Sequence, residues 1–483
     1  MTDTDAPELT PQERDRRWHA LAVCLLAGSM TLLDVSIVNV ALPSIREGLD
    51  AGNGTIQWVV AGYALAFGIV LVPAGRLGDA RSRRGVFMAG VALFTVASAV
   101  CGAAQEPLWI GIARVVQGIG GGLITPQVSG FIQNLFKGPE RGRAFGLFGA
   151  TIGVSTAIGP VLGGLLIQLG GEDSGWRLVF YVNVPIGILL LVLARRYLPK
   201  AARGPKQSLD PVGVLLFGTA MFFVLLPLVS GSQDDSLSER PWWLLGISAV
   251  LLVVFVLWER RWTARDRETL VDLSLVRVRS FVLGVGLGTF YFAGFTSIFI
   301  VLTLYLQQGL GYSALQAGAS QLPFAVGSAT SAFVGGRLVE RLGRTLVVAG
   351  LLTIAVALIV VDLLVPHLDG AVGLKLAPIL LLAGIGGGLV ITPNITLSLS
   401  EVDPARAGAG GGLLQTAQRV GSAIGVAVVL ALFFERVRSS DGDFADALSY
   451  SLHVTIALVL IALALGVADL VRRSRGVSPA TDR

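Results

Sequence analysis

The chain has 483 residues, of which 53% are apolar and only 14% charged. Soluble domains carry roughly a quarter charged residues, so a soluble enzyme and a nucleic-acid binder are both excluded despite the net charge of +5. The 61 glycines suit helices packed in lipid, where small residues let backbones approach closely.

Residues 1–18 carry both signs of charge and read as a tail in water. The apolar run after them is too long for a signal-peptide core and has no small-residue cleavage site. A helix needs about 20 apolar residues to cross a bilayer. Such runs fall at 19–42, 56–74, 85–104, 107–131, 144–169 and 177–198, then at 210–230 and 241–258. Six more follow at 281–306, 316–336, 345–366, 374–396, 407–434 and 449–471. The reading is an all-α polytopic membrane protein of fourteen spans. Residues 19–198 and 281–471 form two six-helix bundles, 199–280 an inserted helix pair with its loops, and 472–483 a second tail. Of the 37 Lys and Arg residues, 29 fall on one side, six on the other and two, Arg114 and Arg419, inside spans. The positive-inside bias then places both termini in the cytoplasm of a cell-membrane protein.

Three segments recur at offsets of 261 to 266 residues. Gly75-Arg76-Leu77 returns as Gly336-Arg337-Leu338, Gly118–Leu123 as Gly384–Leu389, and Ala157–Gly159 as Ala423–Gly425. The matched elements lie eight spans apart, so both copies share one orientation. Parallel repeats of this kind place a substrate path at their interface.

Asp34, near the middle of the first span, is the sharpest residue. A carboxylate there costs about 2.5–3.5 kcal/mol on insertion scales. Protonation, a neighbouring cation or a wet cavity reduces that cost, and a purely structural polar contact is the competing reading. Proton exchange needs a water route to this carboxyl: bathed in bulk solvent, or sealed without a route, it would not serve. Arg114, in the fourth span, cannot shed its charge; it either tunes Asp34 or snorkels to an interface. Arg419 poses the same question in the thirteenth span, which contains no acid between Ala407 and Phe434.

The loop Gly75–Gly85 sets Asp79 among four arginines, Arg76, Arg81, Arg83 and Arg84. A carboxylate there can pair locally and also cap a facing helix N-terminus. The start of the thirteenth span, near Pro404–Gly408, is the expected partner, as a latch made in one transport state and broken in the other. Gly149/Gly153 and Gly159/Gly163, spaced at i,i+4 in the fifth span, make smooth patches for another helix, and Pro160 between them favours a kink. Polar side chains in apolar spans nominate Gln57, Tyr63, Gln127, Tyr291, Gln307, Asn394 and Arg419 as the lining of a substrate cavity. Core packing is the equal alternative for each aromatic.

Together, Leu33–Pro43, Gln57-Trp58, Gly75–Gly85, Arg114–Gly122, Gly149–Gly164 and Trp176 through Pro185 make the chain resemble the major facilitator superfamily. The likeness is to its fourteen-helix drug:proton antiporter branch and covers nearly the full length. It implies a monomeric exporter driven by the proton gradient, with no other cofactor. Asp34 and Arg114 would couple protons, Gly75, Asp79 and Arg83 would form a gate, and Gly149–Gly163 with Pro160 would be an antiporter motif. Two departures stand out: the thirteenth span lacks the acids of some multidrug members, and Gln418-Arg419 reverses their Arg-Gln order.

Cys24 and Cys101 fall in apolar runs, which suggests neither a disulfide nor a metal site. His19, His367 and His453 are scattered, and no Gly-x-x-x-x-Gly-Lys loop is present to couple ATP. The expected function is efflux of amphipathic organic compounds by alternating access. Alternatives are a dedicated exporter of one endogenous metabolite, and a channel or non-transporting sensor.

Overall fold

The computed structural model describes residues 11–171, 174–200, 210–229, 241–265, 267, 269–271, 273–368, 370–403 and 407–476. The first half runs through α1 (Pro11–Gly48), α2 (Asn53–Leu77), α3 (Arg83–Gly102), α4 (Pro107–Leu135), α5 (Gly138–Gly170), α6 (Trp176–Tyr181) and α7 (Asn183–Tyr197). A helix pair follows, α8 (Pro211–Val229) and α9 (Trp243–Thr263). The second half holds α10 (Arg279–Leu304), α11 (Ala314–Ser320), α12 (Leu322–Leu342), α13 (Arg344–Leu364), α14 (Val372–Leu399), α15 (Ala407–Ser439) and α16 (Phe444–Gly476). Twelve stretches of the described residues are long and apolar enough to cross a membrane. One of these, Trp58–Gly102, spans most of α2 and all of α3.

Three local features depart from the expected elements. The first helix already begins at Pro11, inside the expected tail. The expected loop at Gly75–Gly85 is a helical corner: a π-helical turn, Gly78–Ser82, joins α2 to α3. The helical path ends at Ser82, whose backbone is extended, and Ser82 caps α3 by accepting from Gly85 N at 3.0 Å. The expected sixth span is broken at Val182 into α6 and α7. Pro185 has no N–H to give to the Tyr181 carbonyl and its ring crowds it, so the helix yields there. Residues 1–10, 201–209, 230–240 and 477–483, which include parts of the expected tails and loops, lie outside the described residues.

Packing repeats between the halves. α1 packs on α5, α2 on α4 and α3 on α4; α10 packs on α15, α12 on α14 and α13 on α14 in the same pattern. The recurring glycine motif explains the tight approach. A Cβ on Gly118 would run into the Tyr63 carbonyl, and one on Gly384 into the Phe324 carbonyl. Gly122 lies on the Phe67 carbonyl and Gly388 on the Ser328 carbonyl in the same way. Across the halves, α5 packs on α12 and α14, and α15 packs on α2 and α4.

The starts of α1, α3 and α5 and the ends of α4 and α7 share one end of the molecule, hereafter the basic end. Arg17 joins Glu140 at 3.0 Å and donates to the Leu135 carbonyl at 3.2 Å. Arg84 donates to the Arg195 carbonyl at 2.6 Å. α8 packs on α2 and α15 and carries α9, with Val72, Phe217, Met221 and Phe255 in one buried cluster. Asp210 caps α8 by accepting from Gly213 N and takes the Trp258 indole N–H at 2.8 Å. Away from this contact α9 turns Val250, Val253 and Leu257 outward, the apolar stripe expected of a surface that meets lipid.

Candidate functional site

A buried polar cluster lies where α1, α3, α4 and α7 meet. Arg114 Nη1 donates to Asp34 Oδ2 at 2.6 Å and to Gln117 Oε1 at 2.8 Å, while its Nε donates to the Val59 carbonyl at 2.9 Å. The second carboxylate oxygen, Asp34 Oδ1, accepts from Gln117 Nε2 at 2.8 Å and Asn183 Nδ2 at 2.9 Å. Ser98 accepts from both amides at 3.0 Å and donates to the Phe180 carbonyl. That carbonyl belongs to the last turn before the Val182 break, which also delivers Asn183 to the cluster. The Arg114 guanidinium rests 4.2 Å over the Tyr63 ring. Asp34 is 0% exposed and Arg114 2%.

Of the three ways to reduce the cost of a carboxylate at this depth, the structure shows the neighbouring cation. The pair is charge-neutral, with both carboxylate oxygens accepting and the guanidinium donating through Nε and Nη1, the kind of hydrogen bonding that lets a buried ion pair be tolerated. The expected wet route to Asp34 is not open here, because both oxygens are occupied and buried.

Asp79 joins the two halves at the basic end. Its Oδ1 pairs with Arg83 Nη2 at 2.6 Å and its Oδ2 accepts from Ala409 N at 2.9 Å, in the first turn of α15. The contact falls at Ala409, one residue beyond the expected Pro404–Gly408 segment, of which 404–406 lie outside the described residues. Arg83 lies against Gly130 of α4, where any side chain would displace it. Gly75 stays in the last turn of α2 and helps hold the corner, accepting from Gly78 N. Around this contact Gln415 donates to Ser129 Oγ, Gln133 to the Leu399 carbonyl and Thr392 to the Phe145 carbonyl. The halves are closed on each other at the basic end.

The glycines of α5 split by face. Gly149 and Gly153 meet Thr392, Ser328 and Ala329 of the other half, whereas Gly159 and Gly163 sit on Ser36 and Ile37 of α1. The Pro160 side chain lies outside the described residues, and α5 is assigned as one helix through it. Farther from the basic end, Ile152 and Gly153 border a cavity between the halves with Phe295, Phe299, Gln321 and Phe324.

The nominated cavity residues scatter. Tyr63 belongs beneath Arg114, and Arg419 lies 4.7 Å over Phe67. Tyr291 borders an apolar cavity within the second half, with Phe324, Leu380 and Val459. Gln127 instead donates to the Ala74 carbonyl at 2.8 Å and braces the α2–α3 corner. Gln307 lies half-buried in the π turn Tyr305–Gly309, at the end opposite the basic one. Asn394 accepts from Arg344 Nη1 at 2.5 Å and donates to the Gly284 carbonyl, away from either cavity. The Gln57 side chain lies outside the described residues.

Asn394 exposes a second buried ion pair that sequence reasoning missed. Arg344 Nε donates to Asp469 Oδ2 at 2.5 Å, and its Nη2 donates to the Ser280 carbonyl at 3.1 Å. Counting Arg344 among loop cations hid it. Two signals were available: the repeat offset of 261 maps Arg83 onto Arg344, and Asp469 is an acid within an apolar span, as Asp34 is.

Comparison with known proteins decides the family. Residues 24–426 match the Major Facilitator Superfamily. The chain belongs to that superfamily.

A probable actinorhodin transporter of Streptomyces coelicolor is 35% identical over 437 residues, covering 89% of this chain and 75% of that one. A cephamycin export protein of Amycolatopsis lactamdurans is 34% identical over 474 residues, covering 95% and 94%. A human organic anion transporter superposes with a TM-score of 0.67 at 15% identity, covering 95% of this chain and all of that one; that likeness speaks for the fold alone. As a major facilitator the protein is a multi-pass membrane transporter rather than an enzyme. The Asp34–Arg114 cluster lies in one half, and Arg419 of the other half reaches Phe67 of α2.

Proposed function

We propose that this transporter is a proton-coupled exporter of amphipathic organic molecules, working as a monomer by alternating access and driven by the proton gradient. The observation that carries the reading is the Asp34–Arg114 pair, a carboxylate at membrane depth held by one guanidinium and two amides beside the path. Protonating Asp34 would release Arg114 and leave both groups to rearrange. Since the carboxyl is sealed in this state, proton exchange belongs to a second state in which Arg114 lets go and water enters. The contact of Asp79 with Ala409 N closes the basic end, which the Lys and Arg bias assigns to the cytoplasm together with both termini. The state described here is then closed to the cell interior.

Export, rather than uptake, is supported by the relatives named for transport of actinorhodin and export of cephamycin. Those names also favour a second reading within the same fold, a dedicated exporter of one endogenous metabolite. A fourteen-span topology fits the helices better than twelve. The 45-residue stretch Trp58–Gly102 folds as two helices, and the 33-residue α5 adds a crossing. The domain division then follows the two packed halves, with α8 and α9 as an inserted pair.

The experiment is transport in inverted membrane vesicles acidified inside. Vesicles holding the protein should accumulate a fluorescent amphipath, lose it on collapse of the gradient, and fail to accumulate it with Asp34→Asn. Accumulation that persists without any gradient would remove the antiport reading. A panel of growth inhibitors, tested on cells with and without the protein, separates broad efflux from a single-metabolite exporter.

A further inference from the structure

Arg419 is a cation at membrane depth for which the described residues supply no anion. It makes no hydrogen bond and no ion pair among them, and its contact is the Phe67 ring face, 4.7 Å from the guanidinium carbon. The side chain is half-buried. Its direction is set by the helix: Gly421 and Gly425 press α15 against the carbonyls of Thr289 and Ala293 in α10, while Gly412 presses on Leu71 of α2. Residues 412 and 419 are two turns apart on one face, so Arg419 is delivered to α2, across the boundary between the halves.

What waits there is a short aromatic ladder. Phe67 stacks with Tyr63 at 5.9 Å, and Tyr63 lies under Arg114 at 4.2 Å. The Tyr63 hydroxyl is buried without a hydrogen-bond partner. The hydroxyl and the Phe67 ring both overhang Gly121, where a Cβ would stand 3.0 Å from each. The absence of a side chain at residue 121 is what lets Tyr63 and Phe67 settle this close to α4. Charge completes the picture: Asp34 neutralises Arg114, which leaves the positive charge of Arg419 uncompensated. A ring face is a weaker partner for a guanidinium than a carboxylate or sulfonate that accepts its fork of donors.

We infer that Arg419 and the Tyr63 hydroxyl form the polar end of the substrate site and select amphipaths bearing an anionic group, a carboxylate, sulfonate or ionised phenol. The anionic oxygens accept from the Arg419 guanidinium and from Tyr63, and the apolar body lies along Phe67 toward the cavity edged by Phe295, Phe299 and Phe324. The inference rests on the exporter reading for the identity of the cavity, but makes its own demand, discrimination by charge.

The test uses purified full-length protein in nanodiscs and two fluorescent probes differing in one group, 8-anilinonaphthalene-1-sulfonate and the uncharged N-phenyl-1-naphthylamine. The saturable signal should show the sulfonate binding about tenfold or more tighter than the amine, the scale expected for one charge-assisted contact. Arg419→Gln should weaken the sulfonate by about tenfold and move the amine by less than about twofold. Arg419→Lys should keep most of the preference, and Tyr63→Phe should weaken only the sulfonate, by roughly threefold to tenfold. Retained amine binding shows that a variant is folded; if Arg419→Gln does not fold, Tyr63→Phe decides. Equal affinities in wild type, or equal losses of both probes in the variants, overturn the inference. Gradient-driven movement of the amine without charge discrimination would sink the inference and keep the exporter. Arg419-dependent sulfonate binding in a protein that moves neither probe would do the reverse.

Discussion

At membrane depth a charge without a partner is expensive, and Asp34 and Arg114 meet that cost jointly at 2.6 Å. Removing one partner of a buried pair costs about 3–5 kcal/mol, whereas replacing both can be nearly neutral. Arg114→Gln should therefore lower the unfolding temperature sharply, and adding Asp34→Asn should restore most of the loss while transport stays absent. Thermal unfolding in detergent measures this; a double variant as unstable as Arg114→Gln would show that the pair is not the unit. Both charges were legible in the sequence as ionisable residues inside apolar spans. Their partners were not. Ser98, Gln117 and Asn183 are ordinary polar residues until the α6–α7 break turns Asn183 inward, and nothing in their spacing announces three-dimensional convergence.

Glycines that look alike in the sequence have different neighbours in the helices. The i,i+4 pairs of α5 were readable as packing patches, but which patch met which helix was not, because a smooth face names no partner. Gly159 is filled by the Ser36 side chain, so Gly159→Ala should cost about 1–3 kcal/mol through overpacking. Ser36→Gly should recover much of that in the double variant. Gly153→Ala meets only ordinary contacts at 3.4 Å and should be near neutral. Equal losses at both glycines, read by unfolding temperature, would contradict this division of faces. The helix pair has its own anchor: Asp210→Ala removes an N-cap and the Trp258 bond and should destabilise by about 1–2 kcal/mol. The corner at Gly78–Ser82 was missed because a charged, glycine-bearing segment reads as a loop, while its backbone stays helical as far as Ser82.

For the whole molecule, apolar runs and an internal repeat made the architecture legible, since both follow from one-dimensional patterns. The state could not be read that way, as it depends on contacts across the halves such as Asp79 with Ala409. The cavity residues scattered for a related reason: polarity marks a side chain with a partner, and Asn394 and Gln127 found theirs inside the packed bundle. Closure at the basic end can be trapped. A Cβ on Gly411 would lie 3.1 Å from Ser129 Cβ, so the helices need part by only a few tenths of an ångström to reach the roughly 3.5–4.5 Å Cβ separation of a disulfide. Cysteines at 129 and 411, with Cys24 and Cys101 replaced, should cross-link on oxidation, stop transport, and release it on reduction. Transport that continues through the cross-link would mean that the basic end does not open.

The central claim is that the Asp34 charge state and substrate movement are one process. In proteoliposomes with an imposed pH gradient and a pH-sensitive dye inside, a pulse of transported substrate should discharge the gradient through the wild-type protein and leave it intact with Asp34→Asn. A gradient untouched by substrate in wild type, or discharged equally by the variant, would contradict the account.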